Sequence, residues 1–561
     1  MATTITSDTK IPIDKHFKVM AGPGAGKTYW LINHIKNVLE HSEKLGKCGK
    51  IACITYTNVG VDTIVQRLGG NMNSVEVCTI HSFFYNHIVK PYLRFIADDE
   101  GFNLELLKGE DDRYDFTYGT LKSIKDETNQ WYAKDKDLEN GIKHARWKME
   151  NTNLVCEPEI GKRKVAKKYS LKKKTYITYK KIAWGKGLMH YDDVIYFAYQ
   201  LITKFPFLQE VIARMFPYMF IDEFQDSNPI QVEIIKKIAS HGSIIGVIGD
   251  PAQSIYGFLG ADAKQFDAFT LADIEEYVIE GNRRSSVEIV DFLNSIRSGL
   301  QQKPLRLTHG AIPSLFVGDD IDNYRKVCNL VHGDVCALSF DNMNANSLKK
   351  MMKPNAISSH LIDNVNDSNE NRKNFITTFI KALEHAKMGN FKKAFDFMEK
   401  VDIDVYEAVG KIQIMLSDYD NINKMSLLDF HSYLNDKFEL GMSALRKKSD
   451  PHKFYENHKY IDLALCVKHE DDDGMQRTIH KAKGDEFDNV MVCLGDEKNL
   501  DCILNPDLKN IEAHRVYYVA ASRAKERLFF SVPTLSDKNR KEIENKGVLY
   551  VKKLSPLGWL N

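Results

Sequence analysis

The sequence predicts an α/β fold built on parallel sheets, and three observations carry that expectation. Short β-branched apolar runs, such as Ile51 to Thr55 and Ser243 to Asp250, alternate with amphipathic helical patterns. That alternation marks parallel sheets covered on both faces. A glycine-rich loop, Gly22-Pro23-Gly24-Ala25-Gly26-Lys27-Thr28, joins an apolar run to the helical pattern WLINHIKNVL. A carboxylate pair, Asp222-Glu223, ends a third apolar run. Ligands of such sheets bind beyond the carboxyl ends of the strands.

The loop has phosphate-loop spacing. Glycines let the backbone curl so that N–H groups face a phosphate, and the helix that follows adds partial positive charge. Lys27 is placed to reach the outer phosphates, and the Thr28 hydroxyl to ligate Mg²⁺. A plain glycine-rich turn is the alternative, and the order strand, loop, Lys-Thr, helix argues against it.

With 561 residues, several domains are expected. A composition 43% hydrophobic and 27% charged is that of an ordinary globular protein. No apolar run approaches a membrane span, and MATTITSDTK is too polar for a signal peptide. The nine cysteines contain no C-x-x-C pair, so they read as reduced thiols of a cytoplasmic protein and not as a metal site. A net charge of +1 gives no global sign of nucleic acid.

Along the chain, Asn58 reads as a turn or cap residue before a helix carrying Val61, Ile64, Val65 and Leu68. A strand from Ser74 ends in Thr79-Ile80-His81-Ser82-Phe83. Tyr56, Thr57, His81 and Phe83 lie at strand ends with polar tips and flat faces. From about 91 to 187 the pattern turns to charged helical stretches. Within it, Gly161 to Lys186 holds eleven Lys and Arg with interleaved Tyr169, Tyr176, Tyr179 and Trp184. This is either a nucleic-acid surface or a solvated charged face. Met189 to Leu201 reads as an amphipathic helix.

Asp222 would hold Mg²⁺ and Glu223 would activate an attacking water. Past the run SIIGVIGD, Gln253 is placed to sense a terminal phosphate. Tyr256 and Phe258 are placed to face a base, with a core position the better reading for Tyr256. Residues 314–345 suggest more sheet, and 346–467 a mostly helical insertion with a hairpin at Gly389-Asn390. The run Glu470 to Asp473 reads as a solvated linker.

These segments, AGPGAGKT, ITYTNVGVDTI, TIHSF, IDEFQDSNPIQ, GDPAQSIYGFLGAD, NRRSSVEIVDFL, TIHKAKGDEFDNVMV and YYVAASRAKERL, stand in one order across residues 20–530. The chain resembles superfamily 1A DNA helicases of the UvrD/Rep/PcrA type. The resemblance implies two RecA-like parallel-sheet motor domains of the P-loop NTPase class, with mostly helical insertions and ATP between the motor domains. The implied layout is 1–90 and 188–280 for the first motor domain and 91–187 for its insertion. The second motor domain would take 281–345 and 468–561, with 346–467 as its reduced insertion.

The resemblance also implies residue roles. Arg284 would contact the γ-phosphate. Arg283 stands where the family has a Tyr that stacks on adenine, and a guanidinium can also stack on a base. The family's adenine-reading glutamine is not evident in IPIDKHFKV. ATP is the default nucleotide, and relaxed selectivity is the alternative. Gly484, Asp485 and Glu486 would line the nucleotide, and Tyr56, Thr57, His81, Phe83, Tyr256, Phe258, Thr478 and His480 would lie along the path of the DNA. Arg523 would be an arginine finger in cis, an effect worth roughly three to five powers of ten in rate. The family's G-G-x-x-F-F-x-R-x-E-I-K-D segment is missing from the insertion.

The implied activity is ATP-dependent movement along single-stranded or partly duplex DNA, 3′ to 5′. The alternative is a DNA-gated ATPase that regulates a partner. The chain's size and reduced insertion are similar to helicases encoded beside OLD-type nucleases in phage-defence operons such as Gabija. A generic phosphate-loop kinase or GTPase does not account for Arg284, Arg523 and TIHSF together.

Overall fold

Phe17–Ala21 alternates buried and half-buried residues and forms β2 of the computed structural model. It lies inside a seven-stranded sheet whose other members are β1 (Thr3–Ile5), β3 (Ile51–Thr55), β4 (Val75–Thr79), β7 (Tyr218–Ile221), β8 (Ile244–Gly249) and β9 (Glu275–Ile279). The order is β1-β9-β2-β8-β7-β3-β4, and every pairing is parallel. Strands β3, β7 and β8 are buried at every position, which explains their continuous apolar character. Each fully buried Ile or Val contributes roughly 1.5–3 kcal/mol, so burial of these runs secures the sheet.

The structure describes residues 2–69, 72–107, 109, 114–151, 153–158, 171–352, 360–468, 474–547 and 549–552. The acidic run at 470–473 and residues 161–170 of the basic stretch, Tyr169 among them, lie outside the described residues.

Contacts divide the chain into two units. The first is Met1–Thr308 with Pro506–Tyr518, and the second is His309–Asn505 with Val519–Asn561. The expected start of the second motor domain at Gly281 therefore falls inside the first unit. There β10 (Gly281–Asn282) pairs in parallel with β11 (Lys303–Pro304).

The first unit's insertion contains helices Tyr118–Thr128, Asp135–Lys143 and Lys173–Gly185. It also contains an antiparallel hairpin of β5 (Ala145–Glu150) and β6 (Asn153–Pro158), which the charged pattern concealed. Tyr176, Tyr179 and Trp184 are buried in its core, so the stacking role considered for them does not stand. Helical spacing turns these rings inward, while Lys172, Lys173, Lys174, Lys181 and Lys186 are exposed. Lys180 is the exception: it is buried against Asp192 and Asp193 at 2.8 and 2.7 Å. The expected amphipathic helix spans Tyr191–Lys204.

The second unit has its own six-stranded parallel sheet. Its strands are β12 (Ser314–Val317), β13 (Val335–Ser339), β14 (Gln476–Thr478), β15 (Phe487–Cys493), β16 (Ala524–Val532) and β17 (Tyr550–Lys552). Their order is β14-β13-β15-β16-β12-β17. The insertion between β13 and β14 is helical as expected. Helices Glu370–Lys387 and Phe391–Glu399 meet at Gly389, whose φ of 81° suits glycine. Among the described residues, no helix is long and apolar enough to cross a membrane.

Candidate nucleotide and nucleic-acid sites

Lys27 opens the helix Lys27–His41, and Gly26 precedes it with φ 82°, a turn that lets the loop curl into the helix N-terminus. Gly22, Ala25 and Gly26 form this loop with Gly24. A Cβ on Gly24 would lie 2.7 Å from both Arg284 Cβ and Asn282 Oδ1, so glycine is required by close approach as well as by φ 70°. Arg283 N donates to Gly24 O at 2.9 Å, and Asn282 Nδ2 donates to Pro23 O at 3.1 Å. Arg284 therefore stands beside the loop. Gln302 Nε2 also donates to Pro23 O, at 2.9 Å, a bond that sequence reading misses because it depends on the β10–β11 pairing.

Asp222 and Glu223 follow β7 at the same sheet edge. Asp222 is 5% exposed, and Glu223 has φ 54°, a left-handed turn held by its N–H donating to Asp222 Oδ1 at 2.9 Å. Lys27 Nζ lies 3.8 Å from Glu223 Oε1. Gln225 Nε2 donates to Glu223 Oε2 at 2.5 Å, and its Oε1 accepts from Asp250 N at 2.9 Å. Gln253, after β8, donates from Nε2 to Asp250 Oδ2 at 2.7 Å. The Lys27 ammonium, the Glu223 carboxylate and the Gln253 amide thus follow strands of one sheet, linked through Gln225 and Asp250.

Among the described residues, no three His, Cys, Asp or Glu side chains group closely enough to hold a metal alone. The Thr28 hydroxyl and the Asp222 carboxylate are a hard oxygen pair. Such a pair fits Mg²⁺, which takes few protein ligands and completes its shell with water and phosphate. Arg283 donates to Asp8 Oδ2 at 2.9 Å and to Ser7 Oγ at 3.2 Å, so the N-terminal turn holds its guanidinium at the loop's flank.

A second site lies along the same edge. A cavity of about 650 Å³ is lined by Tyr56, Thr57 and His81 from the ends of β3 and β4, and by Tyr256. Tyr191, Tyr114, Lys143 and Arg146 line it from the insertion side. His81 stacks on Tyr191 with ring centroids 3.6 Å apart and planes 5° from parallel. Tyr56 donates to Ser227 Oγ at 2.5 Å. Thr57 caps the following helix by accepting from Gly60 N, so the cap is Thr57 and not Asn58. Burial pushes the Tyr56 and Tyr256 hydroxyls up from their ordinary pKa, so both stay protonated. Tyr256 is half-buried at the cavity wall, and Phe258 is exposed with its ring 6.1 Å from Tyr256.

Phe83 is a correction. It is 0% exposed and packs on Phe216 with ring centroids 5.1 Å apart, so it belongs to the core and not to a nucleic-acid surface. On the short helix Ile80–Phe84, His81 and Phe83 point to different sides. The cavity residues that the sequence does not single out are Tyr114, Lys143 and Arg146, brought there by the insertion, and Tyr191, which opens the helix after it.

The second unit holds the remaining expected residues. Thr478 ends β14 and is buried, while the His480 ring lies 6.2 Å from that of Phe340. Gly484 has φ 100° and Glu486 is exposed. Arg523 is 3% exposed and donates to Val519 O at 3.1 Å, Ser522 Oγ at 2.9 Å and Asp485 O at 3.3 Å.

Comparison with known proteins adds to this geometry. Residues 4–272 match the family model described as the UvrD/REP helicase N-terminal domain. Residues 469–534 match the UvrD-like helicase C-terminal domain. The chain is similar to the Gabija protein GajB of Bacillus cereus (strain HuB5-5), 28% identical over 334 residues, covering 50% of this chain and 46% of the relative. It is similar to the ATP-dependent DNA helicase PcrA of Bacillus subtilis (strain 168), 27% identical over 299 residues, covering 52% and 38%. It is also similar to the ATP-dependent DNA helicase Rep of Buchnera aphidicola subsp. Acyrthosiphon pisum (strain APS), 21% identical over 616 residues, covering 91% and 92%. The match spans less than half the length of the first two relatives.

Proposed function

The chain belongs to the UvrD/REP helicase family, and on that premise we propose that it couples ATP hydrolysis to movement along single-stranded DNA. The observation that carries this reading is one sheet edge with two sites: a phosphate loop facing Glu223, and an aromatic-walled cavity at the ends of β3 and β4.

Lys27 and the loop N–H groups bind the phosphates. Arg284 and Gln253 meet the terminal one. Glu223 takes the proton of the attacking water, and its carboxylate is held for this by Gln225. Thr28 and Asp222 would hold Mg²⁺, which when bound neutralises charge on the phosphate oxygens. Arg523, Gly484 and Glu486 keep the roles that the family resemblance assigns. In the cavity, His81, Tyr191 and Tyr256 offer stacking faces while Lys143 and Arg146 offer cations to the backbone. Movement is 3′ to 5′ and takes place in the cytoplasm.

A second reading is a DNA-gated ATPase that regulates an OLD-type nuclease and unwinds little. The similarity to the Gabija protein GajB and the reduced insertion favour it. Strand displacement on a tailed duplex separates the two. ATP-dependent release of the strand supports the motor reading. DNA-stimulated hydrolysis without release supports the regulator.

A further inference from the structure

Asp250 is 0% exposed and carries more than one partner on each carboxylate oxygen. Oδ1 accepts from Arg297 Nη2 at 2.6 Å and from Ala252 N at 3.2 Å. Oδ2 accepts from Arg297 Nη1 at 2.9 Å and from Gln253 Nε2 at 2.7 Å. Arg297 is itself 7% exposed, and its Nη1 also donates to the Tyr518 hydroxyl at 3.0 Å. Its guanidinium lies 5.6 Å from the Tyr518 ring centre. Burial works against the charge on Arg297, but the Asp250 carboxylate outweighs it and holds the pKa above the ordinary value.

Stability alone gives little reason for this arrangement. A buried ion pair seldom improves on apolar packing of the same volume, because desolvation offsets the attraction. What the pair supplies here is direction. Donation to Asp250 fixes which end of the Gln253 amide is nitrogen and where the side chain points. The fork of Arg297 fixes Asp250 in turn.

Tyr518 adds a second link. It lies on the helix Glu512–Ala521, which grips the segment after β8 at further points. Glu512 Oε1 accepts from Gly257 N at 2.9 Å, and Arg515 Nε donates to Ser254 O at 2.7 Å. Glu512, Arg515 and Tyr518 recur at helical spacing on one face. The gripped segment carries Gln253 at one end and Tyr256 and Phe258 at the other. Arg523 follows this helix directly in the chain.

We propose that Arg297 and Tyr518 are positioning residues for hydrolysis: the buried relay Tyr518–Arg297–Asp250 holds the Gln253 amide for the terminal phosphate and ties it to the helix that leads to Arg523. The proposal rests on the reading of Gln253 as a phosphate contact. Disturbing the relay slows turnover without weakening nucleotide binding, because the relay touches no ligand itself.

The test uses Tyr518→Phe, which removes only a hydroxyl, and Arg297→Lys, which keeps the charge and loses the fork. Gln253→Ala and the double variant Gln253→Ala/Tyr518→Phe complete a cycle. ATP hydrolysis is measured with and without single-stranded DNA, beside the melting temperature. Each relay variant is expected to lose roughly ten- to a hundredfold in kcat at unchanged KM, the cost of a small misplacement. In the Gln253→Ala background, Tyr518→Phe is expected to cost nothing more, since the relay has nothing left to position. If Gln253→Ala hydrolyses ATP like the unaltered protein, the phosphate-contact reading fails. If Gln253→Ala is impaired while Tyr518→Phe and Arg297→Lys keep full kcat, or if their losses add to that of Gln253→Ala, the relay is overturned.

Discussion

Lys27 Nζ stands 3.8 Å from Glu223 Oε1, so the loop's cation and the proposed base face each other where a terminal phosphate would enter. Both side chains are largely sheltered, at 10% and 28% exposure, so their charges act through little intervening water. The two are therefore expected to fail differently. Lys27→Ala should lose nucleotide binding and hydrolysis together. Glu223→Gln should keep nucleotide binding and hydrolyse roughly 10² to 10⁴ times more slowly, the usual share of a general base. Fluorescent nucleotide titration beside steady-state turnover distinguishes these outcomes, and lost binding in Glu223→Gln would remove it as base.

The stacked pair His81–Tyr191 makes the cavity wall a ready platform for a base. Tyr191→Ala should weaken single-stranded DNA binding by about 1–3 kcal/mol, the range for one stacked base. Neutralising Lys143 and Arg146 together should flatten the dependence of log affinity on log salt by about 0.7 for each DNA phosphate that no longer meets a cation. Neutralising Lys172, Lys173 and Lys174 should leave that slope in place. Those lysines already serve Thr128 O, the carboxylates of Glu150 and Glu157, and Glu127 O. Fluorescence anisotropy over a salt series reads both effects.

Phe83 supplies a control within the same motif. Its ring is enclosed by Phe84, His87 and Phe216, so Phe83→Ala should cost about 3–5 kcal/mol of stability. DNA affinity per folded molecule should not change. A stable Phe83→Ala protein with weakened DNA binding would restore the surface role.

How much of this is legible in the sequence depends on the range of the interactions involved. The phosphate loop and Asp222-Glu223 can be read because each is a short motif at the end of one apolar strand. Phe83 misleads because TIHSF looks alike whichever way its one-turn helix faces. Tyr114, Lys143 and Arg146 give no local signal, since they reach the cavity only through the insertion folding back over distant strand ends, and Tyr191 joins them from the helix that follows the insertion. Gln302 reaches Pro23 only because β10 pairs with β11. The bonds of Asn282 and Gln302 to Pro23 O and of Arg283 N to Gly24 O tie residues 281–308 to the first unit, beyond the boundary that motif order suggests.

His34 makes the first unit sensitive to acid. It stacks on Trp30, with centroids 5.2 Å apart, and neither ring nitrogen has a hydrogen-bond partner among the described residues. Burial alone lowers its pKa to about 4, against 6.5 when unfolded. Between those values the unfolded chain binds the extra proton, so stability rises with pH there. The contribution is complete above about pH 6.5 and is lost as pH falls toward 4, by about 3 kcal/mol in all. His34→Phe should flatten this part of the melting profile between pH 7 and pH 5. An unchanged profile would assign the acid sensitivity to other groups.

The most direct test of the central claim is ATP hydrolysis by the whole protein with and without single-stranded DNA, beside Lys27→Ala. The account predicts turnover that DNA stimulates strongly, that Lys27→Ala abolishes, and whose stimulation weakens in Tyr191→Ala. Hydrolysis that ignores DNA would contradict it, because the phosphate site and the aromatic cavity would then share a sheet edge without acting together.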